Sequence, residues 1–163
     1  MPAEDETPGE ARSRAALDAA GLTYRVIRHG PVRSLAEAAQ ARGVETADVV
    51  KTLVVRRGTD DYLLVLVPGD RTLAWPRLRT LLGVSRLSLP QADEARDATG
   101  YERGTITPFG ARRAWPVVAD ERIRGRTVTL GAGAHGVAVA VEADAVLTAL
   151  QATVADVSDP AGP

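Results

Sequence analysis

The chain carries twenty basic residues and only one of them, Lys51, is a lysine. Arginine stands everywhere else, as a GC-rich coding bias would produce wherever either cation serves. A surviving ammonium is expected where a compact point charge works and a wide planar guanidinium does not. Lys51 lies in a β-branched run, VVKTLVVR. In an extended strand Val49, Lys51, Leu53 and Val55 share one face, and Val50, Thr52 and Val54 the other. Both faces are apolar, so the ammonium needs a partner or a polar cavity. Three readings fit: a structural ion pair, a lysine snorkelling from a strand end, or a cation on a pocket wall that receives an anionic ligand.

Two glycine-rich segments can bring bare backbone close to such a ligand. Residues 100–110 (GYERGTITPFG) hold three glycines and Pro108. Within them Gly104, Thr105, Ile106 and Thr107 can present N–H groups to a carbonyl or a developing oxyanion, and Pro108, which has no N–H, stiffens the stretch. Residues 131–136 (GAGAHG) include Gly131, Ala132 and Gly133 and set His135 among glycines. A turn of this kind offers its imidazole either to a substrate or to solvent. His29, in HGPVRS, is the other histidine, and there is no cysteine. A cysteine nucleophile, a disulfide and a thiolate zinc site are thereby excluded, and two histidines are poor material for a metal centre. No metal and no cofactor are expected. No GxSxG elbow and no GK[ST] phosphate loop occurs, and the acidic residues form no obvious pair. Arg112 with Arg113, and Arg122 with Arg124 and Arg126, are basic clusters that either meet phosphates or face water.

The elements that must position these residues follow from periodicity. Residues 11–20 read as a helix stopped by Gly21, and 23–28 as a half-buried strand. Ser34 and Glu37 have capping-box spacing ahead of a helix ending at Gly43. Residues 49–56 and 62–67 read as a hairpin, the second strand apolar on both faces as a central strand would be. Residues 75–82 form a helix ended by Gly83, 86–89 a short strand, and 93–98 a short helix. Strands follow at 117–119, 127–130 and 137–141, then a closing helix at 143–150. Local strand pairing with helices interspersed predicts an α+β (mixed α/β) fold. Its curved, barrel-like mixed sheet of about six to seven strands is surrounded by helices. The length suits one domain, placed at 10–157, between Pro-, Gly- and acid-rich tails expected to be disordered at 1–9 and 158–163.

Charge narrows the partners. The net charge is -1 and the pI about 6.1, unlike the basic profile of a protein that grips a long nucleic acid. Any RNA contact should be local or assisted by a partner. No apolar run is long enough to cross a membrane, and no signal peptide is evident, so a cytoplasmic protein is expected.

Read in order, HGPVRSLAEAA, VVKTLVV, YLLVLVPGD, LRTLLGVSRLSL, TGYERGTITPFGA and TLGAGAHGVAVAV resemble the YbaK/ProX family of trans-editing aminoacyl-tRNA deacylases. That family is related to the editing insertion of bacterial prolyl-tRNA synthetases, and the resemblance spans residues 22–150. It implies a single pocket on a mixed, barrel-like sheet. Lys51 matches the family lysine that holds the 3′-terminal nucleotide of tRNA, with Thr52 beside it. Gly104 and Pro108 match the G-x-x-x-P loop around the ester carbonyl, and His135 the A-G-x-H histidine near the aminoacyl group. His29, Thr105, Ile106, Thr107, Gly131, Ala132 and Gly133 are the implied substrate-binding residues. Gly131 stands where some cysteine-editing relatives carry serine, which sets this chain nearer the alanine-editing type. The implied function is removal of a wrongly attached small amino acid (alanine, cysteine, serine or threonine class) from tRNA, foremost tRNA-Pro. The partners are mischarged tRNA and a synthetase or elongation factor that delivers it. The alternative is a non-catalytic module holding a tRNA end or a small anion. Nothing in the sequence sets the oligomeric state.

Overall fold

The two apolar runs build the centre of the molecule. In the computed structural model, which describes residues 6–162, β2 (Val50–Gly58) and β3 (Asp61–Pro68) form an antiparallel hairpin. Asp60 closes its turn with a φ of 53°. β3 is buried from Tyr62 onward, as its two apolar faces require. On its far side it pairs in parallel with β5 (Val117–Asp120), which pairs in parallel with β8 (Thr153–Ala155). A second sheet, antiparallel throughout, is ordered β1 (Tyr24–Arg28), β7 (Val137–Glu142), β6 (Thr127–Gly131). A third pairs β4 (Arg71–Leu73) with β9 (Ser158–Pro160). The first two sheets meet where Val49 bridges Thr129 in parallel. The class is the expected mixed α+β; among the described residues the strands are divided among sheets, with no closed barrel.

β3 splits the core by its own alternation. Tyr62, Leu64 and Leu66 face a cluster with Val128, Leu130 and Val139 of the second sheet. Leu63, Val65 and Val67 face Leu78, Val118 and Val157 on the other side. Among the described residues five helices surround these layers: α1 (Pro8–Ala19), α2 (Leu35–Arg42), α3 (Trp75–Leu82), α4 (Ala92–Thr99) and α5 (Ala143–Leu150). The Ser34 hydroxyl accepts from the Glu37 N–H at 3.1 Å, and the Glu37 carboxylate accepts in turn from the Arg33 N–H. Gly43 and Gly83 end α2 and α3 in the left-handed conformation.

Four expectations change. α1 starts earlier than residue 11, because Thr7 caps it and buried Glu10 receives both Arg28 guanidinium nitrogens at 2.9 and 2.7 Å. Of the N-terminal tail expected at 1–9, residues 6–9 are therefore tied down, and residues 1–5 lie outside the described residues. Of the C-terminal tail expected at 158–163, residues 158–160 form β9, anchored by a Ser158 hydroxyl that donates to buried Asp120 at 2.8 Å. The strand expected at 86–89 is a single bridge, Ser88 with Arg56.

Candidate functional site

β2 is the edge strand of its sheet, and its outer edge is covered only at its ends. Val49 bridges Thr129 at one end; Arg56 exchanges two backbone hydrogen bonds with Ser88 (2.8 and 3.1 Å) at the other. Antiparallel pairing alternates the direction of backbone groups. Since Arg56 points outward, Thr52 and Val54 also turn their N–H and C=O groups to this open edge. A cleft of about 630 Å³ lies along it. Its walls come from β2, the residues around α2, the start of α4, the 103–106 loop and Gly131.

Among the described residues the walls hold four cations, Arg33, Arg42, Lys51 and Arg103, and no Asp, Glu or His. Lys51 is half-buried and its Nζ donates to the Arg71 carbonyl at 2.6 Å. Burial pulls its pKa below the ordinary lysine value, partly offset by the Asp70 carboxylate. No carboxylate lies within salt-bridge distance of Lys51 among the described residues, so the structural ion pair is not what holds it. Arg42 is the second desolvated cation. Its Nη1 donates to Thr129 Oγ1 at 3.0 Å, its Nε is buried without a partner among the described residues, and burial lowers its pKa. Thr52 Oγ1 is likewise buried and unpartnered among the described residues. Desolvated donors left unpaired are costly, and an anionic ligand would satisfy them.

Opposite β2, the loop after α4 supplies backbone. Thr105 N–H bonds the Glu102 carbonyl (2.9 Å), and its carbonyl accepts from Gly133 N–H (3.0 Å). The loop and the 131–136 turn are thus locked together. Gly104 and Ile106 line the cleft, and their N–H groups have no hydrogen-bond partner among the described residues. A side chain at Gly131 would press to 3.3 Å from the Ile106 carbonyl, so glycine keeps the wall open there.

The chain is similar to known proteins along most of its length. The family model described as the aminoacyl-tRNA editing domain matches residues 29–149. The chain belongs to this family. A proline–tRNA ligase of Thermosipho melanesiensis is 36% identical over 101 residues, 61% of this chain and 18% of the ligase. The chain thus spans less than a fifth of the ligases it matches. EbsC of Enterococcus faecalis, a candidate Cys-tRNA(Pro)/Cys-tRNA(Cys) deacylase, is 23% identical over 121 residues, 74% of each protein. A crystal structure of a candidate trans-editing enzyme for prolyl tRNA synthetase superposes with a TM-score of 0.87 at 28% identity, covering 95% of this chain and 99% of that one.

In this editing domain the residues singled out from the sequence separate into two groups. Lys51, Thr52, Gly104, Ile106 and Gly131 share the cleft wall. Thr105, Thr107 and Ala132 are buried behind it, where they hold the loop and turn. Pro108 lies further along the loop, off the wall. Gly133 packs against Gly9 of α1, not against the cleft. His135 is exposed at the rim: its Cε1 lies 3.7 Å from where a Gly104 Cβ would stand, and its Nε2 is 3.4 Å from Glu102 Oε2. His29 is fixed at the end of β1 by its N–H to the Gly136 carbonyl, with Nδ1 2.8 Å from the Gly30 carbonyl.

Sequence reasoning missed Arg33, Arg42 and Arg103. Arg42 reads as an ordinary last-turn residue of a helix, and only the fold carries it to Thr129. The basic clusters that were noticed serve the fold: Arg122 pairs with Asp120 and Asp156, Arg126 with Asp48, and Arg113 stacks on Trp115.

Proposed function

We infer that this chain is an editing hydrolase that removes a wrongly attached small amino acid from the 3′ end of tRNA, foremost tRNA-Pro. The observation that carries this reading is the cleft itself. It sets four cations and no carboxylate beside unpaired loop N–H groups, in a chain that belongs to the aminoacyl-tRNA editing family. The names of the similar ligase, deacylase and trans-editing proteins point to proline tRNA. A tRNA substrate supports a cytoplasmic role, with delivery by a synthetase or elongation factor as part of this reading.

In this reading Lys51 and Arg42 hold the phosphate and ribose of the terminal nucleotide. The Gly104 and Ile106 N–H groups face the ester carbonyl and stabilise the oxyanion formed when water attacks it. Collapse of that intermediate breaks the bond to the ribose oxygen. The ribose hydroxyl and the free amino acid leave, the water proton passing to the departing oxygen. An aminoacyl ester is already activated, so positioning and carbonyl polarisation supply the catalysis. With no imidazole or carboxylate on the wall, the neighbouring ribose hydroxyl orients the water. His135, at the rim against Gly104, contacts the aminoacyl group. A small-residue wall selects by exclusion, and one methylene is worth only roughly 1–3 kcal/mol.

The lack of an acid–base side chain on the wall also fits a module that binds a tRNA end without turnover. A panel of alanyl-, cysteinyl-, seryl- and threonyl-tRNA-Pro, run with matched cognate pairs, separates the two. Selective hydrolysis establishes editing and names the amino acid. Saturable binding with no hydrolysis establishes the module.

A further inference from the structure

We propose that a second basic pocket, at the far end of β2, binds the phosphodiester backbone of the tRNA acceptor stem. This rests on the editing reading above. The pocket, of about 420 Å³, is lined by Arg56, Arg57, Arg79 and Arg86 with Ser85 and Ser88. It shares no residue with the editing cleft.

Its charges are unequal. Arg57 is held by Asp61 at 3.1 and 3.2 Å, and Arg56 lies 3.4 Å from Glu94. Arg79, on α3, and Arg86, after it, have no carboxylate partner among the described residues. In a chain of net charge -1, a concave site with two uncompensated guanidinium groups and two more alongside is a local reversal of sign. Guanidinium forks and hydroxyls are the groups that bind phosphate oxygens.

Continuity with the cleft decides which phosphates. Both sites lie along β2: the cleft at residues 50–54, the pocket at 56–58. The 85–90 segment borders both, Leu89 and Pro90 on the cleft and Ser85 and Ser88 on the pocket. Six residues of strand separate Lys51 from Arg57, about 20 Å at roughly 3.3 Å per residue. That is several nucleotides from the reacting ester, past the single-stranded end and onto the first pairs of the stem. It also explains how a chain without overall basic charge holds tRNA: the grip is local.

The test compares wild type with R79A/R86A on two substrates, full-length mischarged tRNA and an aminoacylated CCA trinucleotide too short to reach the pocket. Anisotropy of uncharged tRNA is titrated across salt in parallel. Expected for the variant are a KM for tRNA raised about tenfold with kcat kept, unchanged kinetics on the trinucleotide, and a log–log salt slope shallower by about 1.5. R79K/R86K should restore most of the affinity, since an ammonium also serves a phosphate. An unchanged salt slope, or an equal loss on both substrates, overturns the proposal. Wild type that hydrolyses neither substrate, yet loses tRNA affinity and salt slope with R79A/R86A, overturns the editing reading and leaves this site standing. Capture of an acidic protein with no effect on tRNA overturns the RNA assignment.

Discussion

Lys51 reaches across from β2 to the backbone carbonyl of Arg71, 2.6 Å from its Nζ, so the only lysine of the chain is aimed by a main-chain acceptor and not by a carboxylate. A charge without a carboxylate partner among the described residues is what the proposed ligand-binding role requires. Lys51→Met keeps the stem and removes the ammonium; Lys51→Ala removes both. Either should cost about 10–100-fold in kcat/KM, the worth of a charge-assisted contact. Lys51→Met should melt no lower than wild type at pH 7, because it removes a desolvated charge. The pH dependence runs in opposite directions for stability and turnover. Between the lowered folded pKa and 10.5 the unfolded chain binds the proton that the folded one has lost, so wild-type stability relative to Lys51→Met rises with pH. Turnover falls through that window as the ammonium deprotonates. Parallel melting and rate profiles check both; full activity in either variant removes Lys51 from the site.

Arg42 offers the same dissociation of stability from function. Its guanidinium is desolvated, has one side-chain acceptor in Thr129, and leaves Nε unsatisfied among the described residues. Arg42→Met should leave stability unchanged or raise it, since a desolvated charge with no carboxylate partner among the described residues is replaced by apolar packing. Affinity for tRNA should fall about tenfold. Denaturant titration paired with a tRNA binding curve reads both. Loss of stability without loss of affinity would make Arg42 a structural residue.

At the cleft rim His135 and Glu102 stand 3.4 Å apart, both largely exposed. A pair so open to water contributes little to folding. His135→Ala should leave the melting temperature within error and lower kcat/KM about tenfold through lost contact with the aminoacyl group. Glu102→Gln should do less, because it only orients the ring. Equal rates for wild type and His135→Ala would confine the histidine to the turn.

The divide between what the sequence revealed and what it hid follows the range of the interactions. α3, α5 and the β2–β3 hairpin were legible because apolar period, β-branching and a following glycine act within a few residues. Lys51, Thr52, Gly104, Ile106 and Gly131, proposed as site residues from combined motifs, line one cleft. β4, β8 and β9 were not legible, because each is three residues long and exists through its partner. Arg42 was hidden for the same reason: its role depends on Thr129, eighty-seven positions away.

Gly9 and Gly133 stand back to back, each occupying the space a Cβ on the other would need. Gly133 also has a φ of 82° and packs against the Tyr101 ring. Gly133→Ala therefore meets backbone on one side and a strained conformation on the other, a cost of about 1–3 kcal/mol. Because Gly133 N–H holds the Thr105 carbonyl, the strain should pass into the 104–106 loop and lower kcat more than KM. Gly30→Ala, where a Cβ meets nothing within 4 Å, is the matched control and should change neither. Melting curves with steady-state kinetics on the same preparations decide it.

Asp120 closes the molecule at the end opposite in sequence. It is fully buried and accepts from the Arg122 N–H and guanidinium, the Val157 N–H and the Ser158 hydroxyl, at 2.8–3.2 Å. This one carboxylate therefore fixes the strand that bears it, the short helical turn after it, and the start of β9. Asp120→Ala should cost about 3–5 kcal/mol, since it strands several buried donors at once. Asp120→Asn should cost less, because one carbonyl oxygen remains to accept. Both should leave kcat and KM unchanged at temperatures where the protein is folded, as no atom of this network lines the cleft. Removal of residues 158–163 should lower stability in the same direction by loss of the β4–β9 pairing. Chemical denaturation of the three variants, with activity measured below the transition, checks the assignment. A truncation as stable as wild type would show that Asp120 serves Arg122 and Val157 alone.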